Sequence, residues 1–214
     1  MNFDLVAPHY RLFETIAFGN ALQKARTCWI QQIPRPRRAL VVGEGNGRFL
    51  CELLRAHPKI DIDCVDASGG MLALACARVR RLRPESLASV RFFHLDVLNW
   101  SPSDSYDLLV THFFLDCFPP DQVGAIVAKL ARAARPAAIW LIAYFCIPHR
   151  RFARIHAKFW VRMMYAFFRV FAGIPAKELV DPTPYLQYNG FIETSLRLSC
   201  GGMLRSGLYV SHSR

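Results

Sequence analysis

A chain of 214 residues, 53% of them hydrophobic, can bury a substantial core and reads most simply as one domain. No uncharged apolar run reaches the roughly 18 residues of a membrane span, and "MNFDLVAPHY" carries an early acid and no basic-then-apolar leader, so neither a spanning helix nor a secretory signal is expected. The formal charge is +11, and seven cysteines lie scattered through apolar segments without CxxC spacing, which points to reduced core thiols in a cytoplasmic protein.

Apolar strands alternate with helices along the chain. "RALVVG" (38–43) reads as a buried strand and "GRFLCELLRAH" (47–57) as the helix that follows it. "IDIDCVD" (60–66) alternates at period two, and "GGMLALACARVRRL" (69–82) has helical periodicity. "VRFFHLD" (90–96), "YDLLVTHFF" (106–114) and "AAIWLIAYF" (137–145) are further strands, with the helix "PDQVGAIVAKLARAAR" (120–135), opened by a proline and an acid, between the last two. Helices of this length between strands imply parallel pairing and right-handed crossovers. "FIETSLRLS" (191–199) and "MLRSGLYVSHS" (203–213), separated by "CGG", predict a terminal antiparallel hairpin. The expected fold is therefore α/β: a Rossmann-like, doubly wound, seven-stranded, mostly parallel sheet closed by that hairpin.

Between the first strand and first helix lies "GEGNG", with Gly43, Gly45 and Gly47 alternating. The junction is a natural ligand crevice of an open α/β sheet, and glycine permits both unusual backbone angles and close ligand approach. The spacing is G-x-G-x-G; the dinucleotide fingerprint G-x-G-x-x-G would need glycine where Arg48 stands. Asp66 ends the second strand, where a carboxylate can accept two hydrogen bonds from a ribose diol, and Asp96 ends the third. Ser68 is placed to cap the helix after Asp66.

These features, with "VDASGGML" and "FFHLDVLNW", resemble the class I S-adenosylmethionine-dependent methyltransferases over about residues 39–145. The resemblance implies that Gly43, Gly45 and Gly47 face the amino-acid part of the cofactor and that Asp66 holds its ribose. It further implies that Met71 packs near the adenine, that Asp96 meets the adenine amino group and that Val97 offers the ring its backbone amide. Ala67 and Thr111 join this cofactor-binding set. The family often has an acid two residues before the first motif glycine; here Val41 stands there, and Glu44, inside the bend, is carried over as a helper of the cofactor's cationic end.

A sulfonium is an activated donor, so in-line positioning supplies much of the acceleration, and an acidic hydroxyl or activated carbon acceptor adds the need for a general base. "THFFLDCFPP" follows the fourth strand, where this family builds part of its acceptor site. It offers His112 as the first candidate base and Asp116 as the second, with Tyr144 as an orienting group. His112 and Asp116 read equally as a buried hydrogen-bonded pair. The segment lacks the N/D-P-P-Y motif of amino-nitrogen methyltransferases.

From Gln122 to Lys177 there is no acid, while Arg151, Arg154, Lys158, Arg162 and Arg169 fall on one stripe of a helix advancing about 100° per residue. An apolar-acceptor lid, a helix resting on anionic lipid at the inner membrane surface through 150–171, and a helix packed with a solvated basic face all account for this pattern. "FDLVAPHY" and "FRVFAGIPAKELVDPTPYLQYNGF" resemble the ubiquinone/menaquinone biosynthesis-type methyltransferases, which makes Tyr10 a gate residue over the cofactor. Two departures are Arg11 in place of the family's Asp and Ala137-Ala138 in place of its glycine pair. The expectation is one methyltransferase domain over 1–214: a helical cap (1–37), a cofactor-binding core (39–145), a basic-aromatic helical lid (146–190) and a terminal hairpin (191–214). Its acceptor is expected to be small and apolar or aromatic, with no metal. RNA methylation, with nucleic acid bound by the basic surface, and non-catalytic cofactor binding are the alternatives.

Overall fold

A computed structural model describes residues 19–102, 104–148, 176 and 178–212. Tyr10 and the basic segment 150–171 lie outside the described residues. In chain order the described strands are β1 (Arg38–Val42), β2 (Asp61–Asp66), β3 (Val90–His94), β4 (Tyr106–His112), β5 (Ala134–Phe145), β6 (Phe191–Ser199) and β7 (Leu204–Ser211). The described helices are α1 (Ala21–Thr27), α2 (Arg48–Ala56), α3 (Gly69–Leu82), α4 (Pro120–Ala131) and α5 (Thr183–Tyr188).

The strands form one seven-stranded sheet in the order β3-β2-β1-β4-β5-β7-β6. Pairings from β3 through β5 are parallel, and β7 runs antiparallel between β5 and β6. The order reverses between β1 and β4, so the carboxyl ends of those two strands flank the crevice in which open α/β sheets place their ligands. β1 occupies the centre because Ala39 to Val42 are all apolar and both of its faces are covered. On one face Phe49, Leu50, Leu53 and Leu54 of α2 pack with Leu72 and Val79 of α3. On the other, Val123, Ile126, Val127 and Leu130 of α4 and Leu186 of α5 pack on Leu40, Val42, Trp140 and Ile142. Burying a side chain of this size stabilises the fold by about 1.5–3 kcal/mol.

The alternation of β2 does not produce a strand with one wet face. Asp63 is buried, and Arg91 of β3 grips both its oxygens at 2.6 and 2.7 Å while the Tyr106 hydroxyl donates to Oδ2 at 2.7 Å. Arg38 of β1 reaches the same carboxylate at 3.7 Å, so one acid ties together four strands. β5 starts three residues before the apolar run does. Ala134 pairs with Tyr106, the register then shifts, and regular pairing resumes from Ile139 opposite Leu108. Within that irregular stretch Ala137, one of the two alanines at the family's glycine positions, takes a left-handed backbone with φ 59°.

Candidate cofactor crevice

The glycine bend uses its three glycines for three different reasons, although all have positive φ (70, 71 and 79°). A side chain at Gly43 would run into the ring of Phe114, which follows β4 and walls the bend. At Gly47 a Cβ would lie 2.7 Å from the Ala75 Cα, so this glycine lets α2 and α3 meet. At Gly45 a Cβ would meet none of the described residues within 4 Å.

Asp66 closes the crevice at the end of β2. Its Oδ2 accepts from the Gly45 N–H at 3.3 Å and its Oδ1 from the Ser68 N–H at 2.9 Å. A carboxylate has about four acceptor positions, so accepting two amides is compatible with also accepting two ribose hydroxyls. Ser68 caps α3 as expected, its hydroxyl oxygen accepting from the Met71 N–H at 3.1 Å. Met71 is buried beneath, and the Ala67 carbonyl lies 3.1 Å from His94 Nε2. Asp96 shapes the turn after β3: its Oδ1 accepts from the Leu98 N–H at 2.9 Å, and Lys129 of α4 donates to the carbonyls of Val97 and Leu98 at 2.8 and 2.7 Å. The structure thus brings Gly45, Asp66, Ala67, Met71, Asp96 and Val97 to the ends of β1, β2 and β3. Thr111 is turned elsewhere; its hydroxyl oxygen accepts from the buried Trp140 indole N–H at 2.9 Å.

Glu44 has a local partner that the sequence does not reveal. Its carboxylate accepts from the Leu50 N–H at 3.1 Å and so supplies the first turn of α2, where Gly47 has no side chain to cap it. Burial pushes the Glu44 carboxyl up to about 7, against the opposing pull of that amide and of nearby Arg26.

β4 ends in a strained turn. Phe113 has φ 53°, with its N–H bonded to the Ala143 carbonyl at 2.6 Å and its ring packed on Phe145. His112, just before it, is only 6% exposed, and neither ring nitrogen has a hydrogen-bond partner among the described residues. Burial, reinforced by the positive charge of Arg26, lowers its pKa to about 3, so the ring is neutral. His112 and Asp116 do not pair: Asp116 Oδ2 accepts from the Phe145 N–H at 3.2 Å, and burial pushes that carboxyl up to about 8. Tyr144 faces the loop before α5, its hydroxyl donating to Asp181 Oδ1 at 3.1 Å and lying 3.0 Å from Thr183 Oγ1.

Arg26 is the residue that sequence reasoning missed. It sits on α1, which is fastened over the sheet by the Ser206 hydroxyl donating to the Ala25 carbonyl at 2.9 Å. Arg26 is only 7% exposed, and its guanidinium lies 5.1 Å over the Phe113 ring. In "ALQKART" nothing distinguishes it from the exposed Lys24 two positions earlier. Among the described residues no group of three or more His, Cys, Asp or Glu is placed to hold a metal, and no helix is long and apolar enough to cross a membrane.

The strand order β3-β2-β1-β4-β5-β7-β6, with a glycine bend after β1 and an acid at the end of β2, can be compared with solved folds. Residues 39–137 match the family model described as a methyltransferase domain. A malonyl-[acyl-carrier protein] O-methyltransferase of Paenibacillus sp. (strain JDR-2) is 33% identical over 78 residues, which are 35% of this chain and 27% of that protein. The chain thus spans about a quarter of that curated relative. Among solved structures, an O-methyltransferase family protein from Burkholderia thailandensis superposes with TM-score 0.66 at 17% identity, covering 99% of this chain and 63% of the other. The N-methyltransferase NodS from Bradyrhizobium japonicum, in complex with S-adenosyl-L-homocysteine, gives 0.63 at 12% identity, covering 90% and 84%. Residues 39–137 are thus similar to a methyltransferase domain, and the fold is one that solved methyltransferase structures share.

Proposed function

We propose that this chain transfers a methyl group from S-adenosylmethionine to a small, apolar or aromatic acceptor. The observation that carries the reading is the joint between Asp66 and Gly45: a carboxylate at the end of β2 bonded to the bend glycine whose outer side no described residue fills. When bound, S-adenosylmethionine supplies a methyl group already activated on a sulfonium. The chain's own contribution is to hold and orient. Asp66 takes the ribose diol, Met71 and Val97 pack against the base beside Asp96, and Phe114 walls the bend.

Where the acceptor loses a proton, the base should have a proton affinity near neutrality. Asp116, pushed up to about 8, meets that condition, and His112, lowered to about 3, does not. Of the two candidates, proton affinity alone favours Asp116 for a hydroxyl acceptor, a substrate type consistent with the O-methyltransferase names among the relatives and structural neighbours. The test is an extract of small metabolites incubated with the protein and isotopically labelled S-adenosylmethionine. Label appearing in an aromatic or apolar small molecule supports the proposal; label entering only RNA, or nothing at all, contradicts it. Contact of 150–171 with anionic lipid, proposed from sequence, is tested by sedimentation with vesicles of anionic and of neutral lipid. Charge-dependent association is the expected result, and equal recovery with both would end that reading.

A further inference from the structure

The turn after β3 is fastened by a residue from another element. Lys129, in the last turn of α4, is partly buried and donates to two successive carbonyls, those of Val97 and Leu98, at 2.8 and 2.7 Å. Bonds from an ammonium are among the stronger hydrogen bonds, and here both go to one short turn. A peptide group is planar and trans, so its N–H and its C=O point in opposite directions. In the group that joins Val97 to Leu98, the N–H points at Asp96 Oδ1 (2.9 Å) and the C=O at Lys129, so both ends are held. In the group that joins Asp96 to Val97, the C=O faces into the turn, where it accepts from the Asn99 and Trp100 N–H groups at 3.0 and 2.9 Å. The Val97 N–H is therefore directed out of the turn, away from those amides, while the Val97 side chain is buried in the core.

The ammonium thus sets a peptide plane, and that plane holds one oxygen of the Asp96 carboxylate. Asp96 and Val97 are the residues that the proposed function sets beside the base of the cofactor. Without Lys129 the Val97 and Leu98 carbonyls would turn to water, and the Leu98 N–H that orients Asp96 would turn with its own carbonyl partner. We infer that Lys129 is a positioning residue for base recognition: acting through the 96–98 turn and without touching the cofactor, it fixes the direction in which Asp96 and Val97 meet the adenine edge. This assignment rests on the reading of the chain as an S-adenosylmethionine-dependent methyltransferase.

The experiment is calorimetric titration of wild type, Lys129→Met and Lys129→Arg with two probes: S-adenosylhomocysteine, and S-inosylhomocysteine, in which an oxygen replaces the adenine amino group. A site built to bond that amino group rejects the analogue, so wild type should prefer S-adenosylhomocysteine by about tenfold or more. Lys129→Met should lose about tenfold in S-adenosylhomocysteine affinity and most of that preference, whereas Lys129→Arg, which keeps several N–H donors, should hold the preference within about threefold of wild type. In the wild type, the Val97 amide and Lys129 ¹⁵Nζ resonances should both shift on adding S-adenosylhomocysteine and shift less with S-inosylhomocysteine, a readout that needs no variant to fold. Equal losses on both probes in Lys129→Met would mark a merely structural tie and overturn the assignment. So would unchanged affinities, Lys129→Arg as unselective as Lys129→Met, or an Nζ resonance indifferent to the probe, and each of these leaves the methyltransferase reading intact. A wild type that binds both probes equally removes the adenine contacts and this assignment with them, and one that binds neither overturns the methyltransferase reading as well.

Discussion

Asp66 fixes the Gly45 and Ser68 amides, and in the proposed function the same carboxylate takes the ribose diol. Hydrogen bonds to a charged group contribute about 1.5–3 kcal/mol each, so Asp66→Ala should weaken S-adenosylhomocysteine binding by about 100-fold or more in a calorimetric titration. The three glycines separate by the same logic. Gly47→Ala combines a positive φ with a clash against the α3 backbone and should lower stability by about 2–4 kcal/mol in a denaturant melt. Gly45→Ala, with only the φ strain, should cost about 1–2 kcal/mol, and its methyl group projects into space that no described residue fills, where the proposed cofactor would lie, so affinity should fall more than stability. Asp66 and Ser68 were legible in sequence because a strand end followed by an acid and a helix cap is a local pattern. Arg26 was not, because a cation on a short helix reads alike whether water or protein surrounds it. Glu44 was half legible: its place in the bend is visible, but its bond to the Leu50 amide depends on how α2 leaves Gly47.

At the scale of the element, β5 shows what periodicity misses. Its apolar run starts at Ala137, yet pairing starts at Ala134, and the stretch between accommodates a register shift that no hydrophobic pattern encodes. The shift leaves Ala137 at φ 59° in an exposed position. A left-handed backbone costs a residue with a Cβ about 1–2 kcal/mol, and glycine returns about 0.5–1 of that as unfolded-chain entropy. Ala137→Gly should therefore stabilise the protein by about 0.5–1 kcal/mol, raising the thermal midpoint by about 2 °C; a lower midpoint would mean that the stretch tolerates the strain. β2 carries a related lesson. Alternation at period two normally marks one wet face, but Arg91 and Tyr106, far away in sequence, satisfy Asp63 inside the sheet. The helices fared better, and α3 was read to its exact bounds because Ser68 and the apolar spacing agree.

For the molecule as a whole, buried ionisable groups at the carboxyl edge of the sheet make stability depend on pH. The folded-state pKa of Asp116 is raised to about 8 and that of Glu44 to about 7, so the fold holds protons that the unfolded chain has released. Both contributions are fully present below the unfolded carboxylate range and are lost as pH rises through those values. His112 acts in the opposite sense, since its lowered pKa makes stability rise between about pH 3 and 6.5 and then level off. Between pH 6.5 and 8 the acids therefore dominate. Wild-type protein should lose at least about 1 kcal/mol across that window, and Asp116→Asn, which keeps an acceptor for the Phe145 amide, should lose clearly less when melts are compared. The fold class was readable from strand and helix alternation with the terminal "CGG" turn, and so were the glycine bend and the acids at the ends of β2 and β3; the end of β4 was not, because its geometry comes from a strained Phe113 and a buried Arg26 contributed by separate elements. The most direct test of the central claim is titration of the wild-type protein and Asp66→Ala with S-adenosylhomocysteine. Saturable one-site binding by the wild type that is abolished or weakened about 100-fold in the variant is the expected result, and a wild type that shows no binding would contradict the account.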